Sequence, residues 1–179
     1  SEIMGDLADA KSKKNEFQII TAPALNTNFI GFNLQANPVF AKKEVRQAFN
    51  YAIDRNKIAV FTIQGEGSPA EYGMVPYTED FEKEGYNYKG IKGYPLDAAK
   101  AKELLKTAGY PDGKGFPTVH LEINGGGGDR NILIGEVIQN MLKENLNIKV
   151  EINTVPLGEH IDNVQSGKSD FFRFGWSAD

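Results

Sequence analysis

Hydrophobic positions in the second half of the chain switch repeatedly between a helical and a strand period. From residue 97 onwards the order reads helix, strand, helix, strand, helix, strand. The predicted helices cover 98–108, 130–145 and a short stretch behind Pro156, and the predicted strands cover 118–124, 148–152 and 171–176. This alternation is typical of an α/β sandwich, in which helices flank a central, largely parallel sheet.

The first half of the chain is less regular. Apolar residues at 28–34 predict a buried strand, and a shorter strand is predicted at 17–21. An amphipathic helix is predicted at 42–53, followed by a short helix that Asp54 caps. Residues 64–95, rich in Gly, Pro and Tyr, predict a long connection without regular structure. Its tyrosines either form a ligand platform or fix the loop to the domain, and the sequence leaves both interpretations open.

Composition excludes several classes of protein. The chain has 179 residues, of which 40% are hydrophobic and 25% charged, as in one ordinary globular domain. Its 20 basic and 24 acidic residues give a net charge of −4, which argues against a nucleic-acid-binding surface. The absence of cysteine excludes disulfides, thiolate nucleophiles and cysteine-ligated metals. No apolar run in the sequence approaches the length that spans a bilayer.

The sequence contains no recognisable catalytic or metal-binding set. Gly125–Gly128 precede a helix, but Arg130–Ile132 occupy positions where the phosphate-loop patterns need glycine. We interpret the glycines as a flexible turn, with Asp129 as the cap of the following helix. The two histidines, His120 and His160, lie far apart in sequence and match no metal-binding pattern. We therefore predict no catalytic residue, no metal and no cofactor.

The last predicted strand carries three unlike groups at its end. Arg173 suits a carboxylate, Trp176 a flat apolar surface and Asp179 an ammonium group. On an ideal strand Arg173 and Asp179 point to one side and Trp176 to the other, and a bend at Gly175 would bring all three together. The alternative interpretation is an ordinary strand end with an edge arginine and a core tryptophan.

Four segments of the sequence together resemble a known family. They are Phe29–Asn33, Val45–Arg55, Asp97–Leu105 with Ala108–Tyr110, and Gly175–Asp179. In this order they resemble the peptide-binding family of ABC-importer solute-binding proteins, which includes oligopeptide- and dipeptide-binding proteins. The string V-R-Q-A-F-N-Y-A-I-D-R over Val45–Arg55 is the most specific of the four.

The resemblance implies a periplasmic-binding-protein-like (type II) lobe, with a mixed, largely parallel central sheet flanked by helices. It implies that residues 1–27 form a hinge-proximal segment and first strand, and that residues 28–179 form a single α/β lobe. Family members have two lobes joined by a hinge, with the ligand enclosed between them. The N-terminal lobe is therefore expected to be missing from this chain, and Asp179 is expected where the chain crosses back through the hinge.

The resemblance also implies a role for each residue at the strand end. Asp179 would pair with the α-amino group of a peptide, Arg173 would meet the carboxylate of a short peptide, and Trp176 would line the pocket. The implied function is extracytoplasmic binding of an oligopeptide or dipeptide and delivery to an ABC permease, without chemistry on the ligand. The implied location is periplasmic, or lipid-anchored at the cell surface in the full-length protein. The implied partners are the solute, the permease and the N-terminal lobe of the same protein, with no nucleic acid.

Two other functions stay open at this point. The chain is alternatively a stand-alone interaction or adaptor domain, or a small hydrolase with an unrecognised carboxylate site. The family resembled also carries ligands other than peptides, such as nickel, opines and sugars. Because one lobe offers half of a site, we expect the isolated chain to bind peptide weakly or not at all.

Overall fold

The computed structural model describes residues 24–63, 65–126 and 129–177. The strands are β1 (Asn26–Phe32), β2 (Val119–Gly125), β3 (Val150–Pro156) and β4 (Phe171–Ser177). The α-helices are α1 (Pro38–Ala41), α2 (Lys43–Ala52), α3 (Arg55–Lys57), α4 (Glu79–Lys83), α5 (Ala98–Thr107), α6 (Arg130–Leu146) and α7 (Leu157–Gln165). The predicted alternation after residue 97 is confirmed, and the strand predicted at 17–21 lies outside the described residues.

The strands form one mixed sheet in the order β1-β4-β2-β3. β2 pairs in parallel with both β3 and β4, whereas β1 runs antiparallel to β4. The parallel pairs follow from the sequence, because β2, β3 and β4 are each separated by a helix that returns the chain to the same edge. The predicted mixed, largely parallel sheet is therefore confirmed.

One face of the sheet, which we call the core face, carries most of the apolar core. Val119, Leu121 and Ile123 alternate along β2 and are fully buried. Helix α6 packs on this face, where Gly135 lies against the side chains of Ile123 and Ile152. The opposite face, which we call the α7 face, is covered in part by α7, whose His160 reaches the side chain of Glu122 on β2.

An aromatic cluster on the core face joins the outer strands to the first helices. Phe32 of β1 stacks on Phe171 of β4 with ring centroids 5.4 Å apart. Phe40 of α1 and Phe49 of α2 pack edge to face at 5.7 Å, and Phe49 meets Phe171 at 5.6 Å. These rings bury large apolar areas, so the cluster fixes β4 at its amino end.

Side-chain caps begin two of the predicted helices, and a third predicted cap is wrong. Asp97 Oδ1 accepts a hydrogen bond from the main-chain N–H of Lys100 at 2.9 Å, and Asp54 Oδ1 does the same for Lys57 at 2.9 Å. Asp129 makes no such bond at the start of α6, because its own backbone is helical (φ −76°, ψ −7°) rather than extended. A capping side chain needs the extended conformation to reach back to the first turn.

The long connection over residues 64–95 contains more regular structure than its composition predicted. Helix α4 and a 3-10 turn (Tyr88–Gly90) lie within it. Tyr72 and Tyr77 pack edge to face on Tyr88, with ring centroids 5.2 and 5.4 Å away. Tyr94 packs on Tyr51 of α2 at 5.1 Å. These contacts favour the interpretation that the tyrosines fix the connection to itself and to the domain.

Candidate ligand-binding site

Strands β2 and β4 separate toward the carboxyl edge of the sheet. Their ladder consists of only two pairs, Leu121 with Phe171 and Glu122 with Phe172. Both strands then continue, β2 to Gly125 and β4 to Ser177, without pairing to each other. Ligands of open α/β sheets bind outside the carboxyl ends of strands, where neighbouring strands diverge. We call the space between these two strand ends the edge opening, and it is the candidate site.

Arg173 is the first residue of β4 beyond the ladder with β2. It pairs across the sheet with Ile30 of β1, and its Nη2 donates a hydrogen bond to Asn28 Oδ1 at 2.9 Å. Asn28 in turn donates to Asn26 Oδ1 at 2.9 Å, and Asn26 donates to Ser177 Oγ at 2.6 Å. A chain of polar side chains therefore runs along the β1–β4 pair from Arg173 to the edge of the sheet.

The charge of Arg173 is not neutralised within the described part of the chain. The guanidinium is half-buried, and no described carboxylate forms an ion pair with it. Burial lowers the pKa of Arg173, and the positive charge of Arg130 at the start of α6 lowers it further. Arg130 itself pairs with Glu66. The charge of Arg173 is therefore left unbalanced by the described carboxylates, and this corner of the sheet suits an anion.

Arg130 is a site residue that the sequence reasoning missed. It follows the glycine turn after β2 and begins α6, so it lies at the carboxyl edge of the parallel strands. The available signal was the order strand, glycine turn, basic residue and helix, which places a side chain at that edge.

Trp176 does not lie beside Arg173. The ladder between β1 and β4 runs unbroken through Asn28–Gly175 and Thr27–Trp176, so the bend at Gly175 that would bring the two side chains together is not present. Successive side chains of a continuous strand alternate, which places Trp176 on the α7 face and Arg173 on the core face. The indole is 65% exposed, so it is not a core tryptophan either.

Gly175 makes room for a contact between β1 and β4. A Cβ atom at this position would lie 2.9 Å from Asn28 Oδ1, the atom that accepts the hydrogen bond from Arg173. Glycine therefore leaves room for the contact between Asn28 and Arg173. Asp179, the third predicted site residue, lies outside the described residues, and its contact with an amino group stays a prediction.

A buried polar network lies at the base of the edge opening. His160 is 1% exposed and Glu122 is 6% exposed. The Nδ1 atom of His160 lies 2.8 Å from Glu122 Oε1, and its Nε2 lies 2.8 Å from the main-chain oxygen of Arg173. Asn163 donates to the second carboxyl oxygen of Glu122 at 3.1 Å. The sequence reasoning tested His160 only as a metal ligand or catalytic base, and so missed this role.

The described residues offer no metal centre, since within 24–63, 65–126 and 129–177 no three His, Asp or Glu side chains cluster in a way that holds an ion. The same ranges contain no helix with the length and apolarity needed to cross a bilayer. His120 lies on the surface, where its Nε2 is 3.3 Å from Glu151 Oε2.

Comparison with known proteins decides the family. The family described as bacterial extracellular solute-binding proteins, family 5 Middle, matches residues 3–179. The chain belongs to this family. Family 5 proteins are the binding proteins of transport systems and are not enzymes, so the hydrolase alternative is wrong. Membership also supports solute binding over the adaptor alternative, and the family is extracytoplasmic.

Individual relatives cover almost all of this chain. It is 32% identical over 171 residues to di/tripeptide-binding protein 1 of Pseudomonas aeruginosa, a match covering 96% of the chain and 30% of that protein. It is 30% identical over 172 residues to glutathione-binding protein GsiB of Salmonella choleraesuis, covering 93% and 31%. The family 5 chain thus spans about a third of the length of the relatives it matches.

The solved structures confirm the fold class. The chain is similar to a periplasmic oligopeptide-binding protein of Borrelia burgdorferi, with a TM-score of 0.74 and 29% identity, over 96% of this chain and 33% of that one. The predicted fold, a mixed α/β unit like those of type II periplasmic binding proteins, is therefore confirmed for this family 5 chain.

Proposed function

We propose that this chain supplies one wall of a peptide-binding site in an extracytoplasmic protein that delivers its ligand to an ABC importer. Residues 1–27 would be the hinge-proximal segment, and residues 28–179 one of two lobes. The relatives named as di/tripeptide-, glutathione- and oligopeptide-binding proteins support a peptide as the ligand. Their length, about three times that of the matched part, supports a second lobe opposite the edge opening.

This proposal rests on one observation: the half-buried guanidinium of Arg173 has no ion-pair partner among the described residues. A half-buried guanidinium gains from an anionic partner, and the described residues supply only the neutral amide oxygen of Asn28. Arg130 lies nearby, but its own charge is paired with Glu66. A peptide carboxylate in the edge opening would accept charge-assisted hydrogen bonds from the guanidinium and neutralise its charge.

The remaining predicted residues complete the proposed site. Asp179 would pair with the α-amino group of the peptide, and the exposed indole of Trp176 would pack on the ligand or on the opposite lobe. Hydrogen bonds to the peptide main chain would bind peptides of varied sequence. Closure of the two lobes would enclose the ligand, and the closed form would then be presented to the permease. A lipid anchor or a periplasmic location would hold the full-length protein near that permease.

The test compares peptide ends in the full-length protein. Two probes are used, an equimolar tripeptide pool with free carboxylates and the same pool with C-terminal amides. We expect Arg173→Gln to weaken apparent binding of the free-acid pool by about ten- to hundredfold, because a charged hydrogen bond is lost, and to change the amide pool little. Calorimetric competition or retention measured by mass spectrometry gives the two affinities.

Lys168→Gln is the matched control, since it removes the same charge from an exposed residue just before the amino end of β4. Equal losses for the two pools in Arg173→Gln would contradict the carboxylate assignment. For the other peptide end, Asp179→Ala is expected to weaken free-amine peptides much more than N-acetylated ones. Failure of the wild-type protein to retain any peptide from either pool would remove the proposed function.

A further inference from the structure

His160 connects β4 to β2 just beyond the point where their ladder ends. The last ladder pair is Glu122 with Phe172, and the next main-chain oxygen of β4, that of Arg173, lies 2.8 Å from His160 Nε2. The other ring nitrogen lies 2.8 Å from Glu122 Oε1. The side chains of His160 and Glu122 therefore continue the connection between the two strands after the main chains have separated.

The hydrogen-bond partners determine where the protons lie. A main-chain carbonyl oxygen only accepts hydrogen bonds, so Nε2 of His160 carries a proton and donates it to Arg173. Two lone pairs at 2.8 Å would repel each other, so a second proton lies between Nδ1 and Glu122 Oε1. The imidazole is thereby held from both sides, and its orientation is fixed.

Further contacts hold the pair in place. Asn163, one turn beyond His160 on α7, donates to Glu122 Oε2 at 3.1 Å, so both carboxyl oxygens are occupied. The ring of Phe174 on β4 lies 5.5 Å from the imidazole. A buried polar group whose neighbours are all satisfied is rigid, because any rotation leaves a donor or acceptor unpaired.

We propose that His160 and Glu122 are positioning residues for ligand binding. By holding the main-chain oxygen of Arg173, His160 sets where the Arg173 guanidinium lies at the edge opening, and Glu122 holds the imidazole in the donating orientation. This inference rests on the proposed function, since it concerns the residue assigned to the ligand carboxylate. Neither side chain contacts the ligand, because both are buried on the α7 face, away from the Arg173 side chain.

Two substitutions at the same position separate the two hydrogen bonds. In His160→Gln the amide nitrogen reaches approximately the place of Nε2, so donation to the Arg173 oxygen is kept. In His160→Asn the shorter amide replaces Nδ1 toward Glu122, and the donor to Arg173 is lost. Both variants remove the imidazole ring from Phe174, so each serves as the packing control for the other.

The first measurement uses the full-length protein with the free-acid and amide tripeptide pools. We expect His160→Asn to weaken binding of the free-acid pool by about tenfold, equivalent to about 1.4 kcal/mol, and to change binding of the amide pool little. His160→Gln is expected to restore the free-acid affinity to nearly that of the wild type. Equal losses for both pools in His160→Asn, or failure of His160→Gln to restore binding, would show a role in stability alone and overturn the proposal.

The second measurement needs no ligand. Amide hydrogen exchange followed by mass spectrometry is expected to show faster exchange in β4 around Arg173 in His160→Asn than in His160→Gln, with α2 unchanged in both. Identical exchange in the two variants would overturn the positioning role even if peptide binds. A wild type that retains no peptide, combined with the expected exchange difference, would overturn the proposed function and leave His160 as an anchor of β4 only.

Discussion

Two arginine-bearing regions of this chain differ in what their side chains do. In the segment Val45–Arg55, Arg46 Nη1 donates to the main-chain oxygens of Phe40 and Ala41 at 2.6 and 3.0 Å. These are carbonyls at the end of α1, which has no further helical turn to satisfy them. At the edge opening, Arg173 contacts a single amide oxygen and no described carboxylate.

Arg55 shows the same structural use of a guanidinium. Its Nη1 donates to the main-chain oxygens of Asn50 and Tyr94 at 3.1 and 3.0 Å, and its Nη2 donates to Asn50 Oδ1 at 2.7 Å. Burial lowers the pKa of Arg55, as it does for Arg173. A shared pKa direction therefore does not separate the two regions, whereas the number of satisfied partners does.

The most specific string in the sequence therefore belongs to the structural scaffold and not to the candidate site. Within Val45–Arg55, Arg46 bonds the end of α1, and Arg55 joins α2 to the end of the long connection. The strand end around Arg173 carries a weaker sequence signal but leaves hydrogen-bonding capacity for a ligand. Unused capacity in a half-buried charged group is the better indicator of a binding site.

The largest expected effect is on the scaffold arginine. Arg55→Ala is expected to lower the free energy of unfolding by about 3 kcal/mol, because it removes a charged donor and leaves the oxygens of Asn50 and Tyr94 without it. Urea denaturation measures the change. Lys57→Ala, an exposed neighbour, is the control and is expected to stay within about 0.5 kcal/mol of the wild type. A loss below about 1 kcal/mol in Arg55→Ala would contradict the structural role.

A middle-sized effect is expected at Gly175. Gly175→Ala places a Cβ atom 2.9 Å from Asn28 Oδ1, so Asn28 must move away from Arg173. We expect a loss of about 1 kcal/mol in stability and weaker retention of the free-acid tripeptide pool. Thermal denaturation and pool retention are measured together.

Gly158→Ala is the matched control for that substitution. An added Cβ at Gly158, in the first turn of α7, meets no atom within 4 Å. It is expected to leave peptide retention unchanged and to raise stability by up to about 1 kcal/mol, since alanine is the better helix former. If both glycine variants retain the pool equally, the contact between Asn28 and Arg173 does not shape the site.

A small stability effect is expected at Arg173 itself. Arg173→Gln is expected to change the free energy of unfolding by less than about 1 kcal/mol, because one hydrogen bond to an exposed amide is lost while a half-buried charge is removed. Urea denaturation of Arg173→Gln and Arg55→Ala under the same conditions compares the two losses in the free energy of unfolding. A loss as large as that of Arg55→Ala would mean that the two regions do not differ in role.

The smallest expected effect concerns an exposed ion pair in neither region. Lys149 and, to a lesser degree, His120 lower the pKa of Glu151 below its ordinary value of 4.5. The ionised Glu151 carboxylate therefore stabilises the fold above pH 4.5, and this contribution is lost as the pH falls through the lowered pKa of Glu151 in the folded state. Above that pH range Glu151→Gln should have a lower free energy of unfolding than the wild type, and below it the two values should be equal. Urea denaturation at a series of pH values measures this. Equal stability above pH 4.5 with a difference at lower pH would contradict this assignment.

Elements with a strong period could be read from the sequence, and the site could be read only in part. The alternation of β2 and the apolar face of α5 needed no tertiary information, because period and capping residues are local. Helix α4 was missed because it has only five residues, four of them charged, and none of them is buried. Arg173 was singled out from its position on a strand end, and the order strand, glycine turn and basic residue could have indicated Arg130. The role of His160 needed the packing of α7 against the sheet.

The sequence by itself determined the element order, the parallel pairing of β2, β3 and β4, and the family, because these depend on periodicity, connection length and local strings. Only the tertiary structure decided that β2 and β4 separate after two pairs and that Trp176 and Arg173 lie on opposite faces. It also decided that His160 supplies the hydrogen bond that β2 no longer offers. The physical reason is that strand register and side-chain partners are set by contacts between residues distant in sequence, which no local pattern encodes.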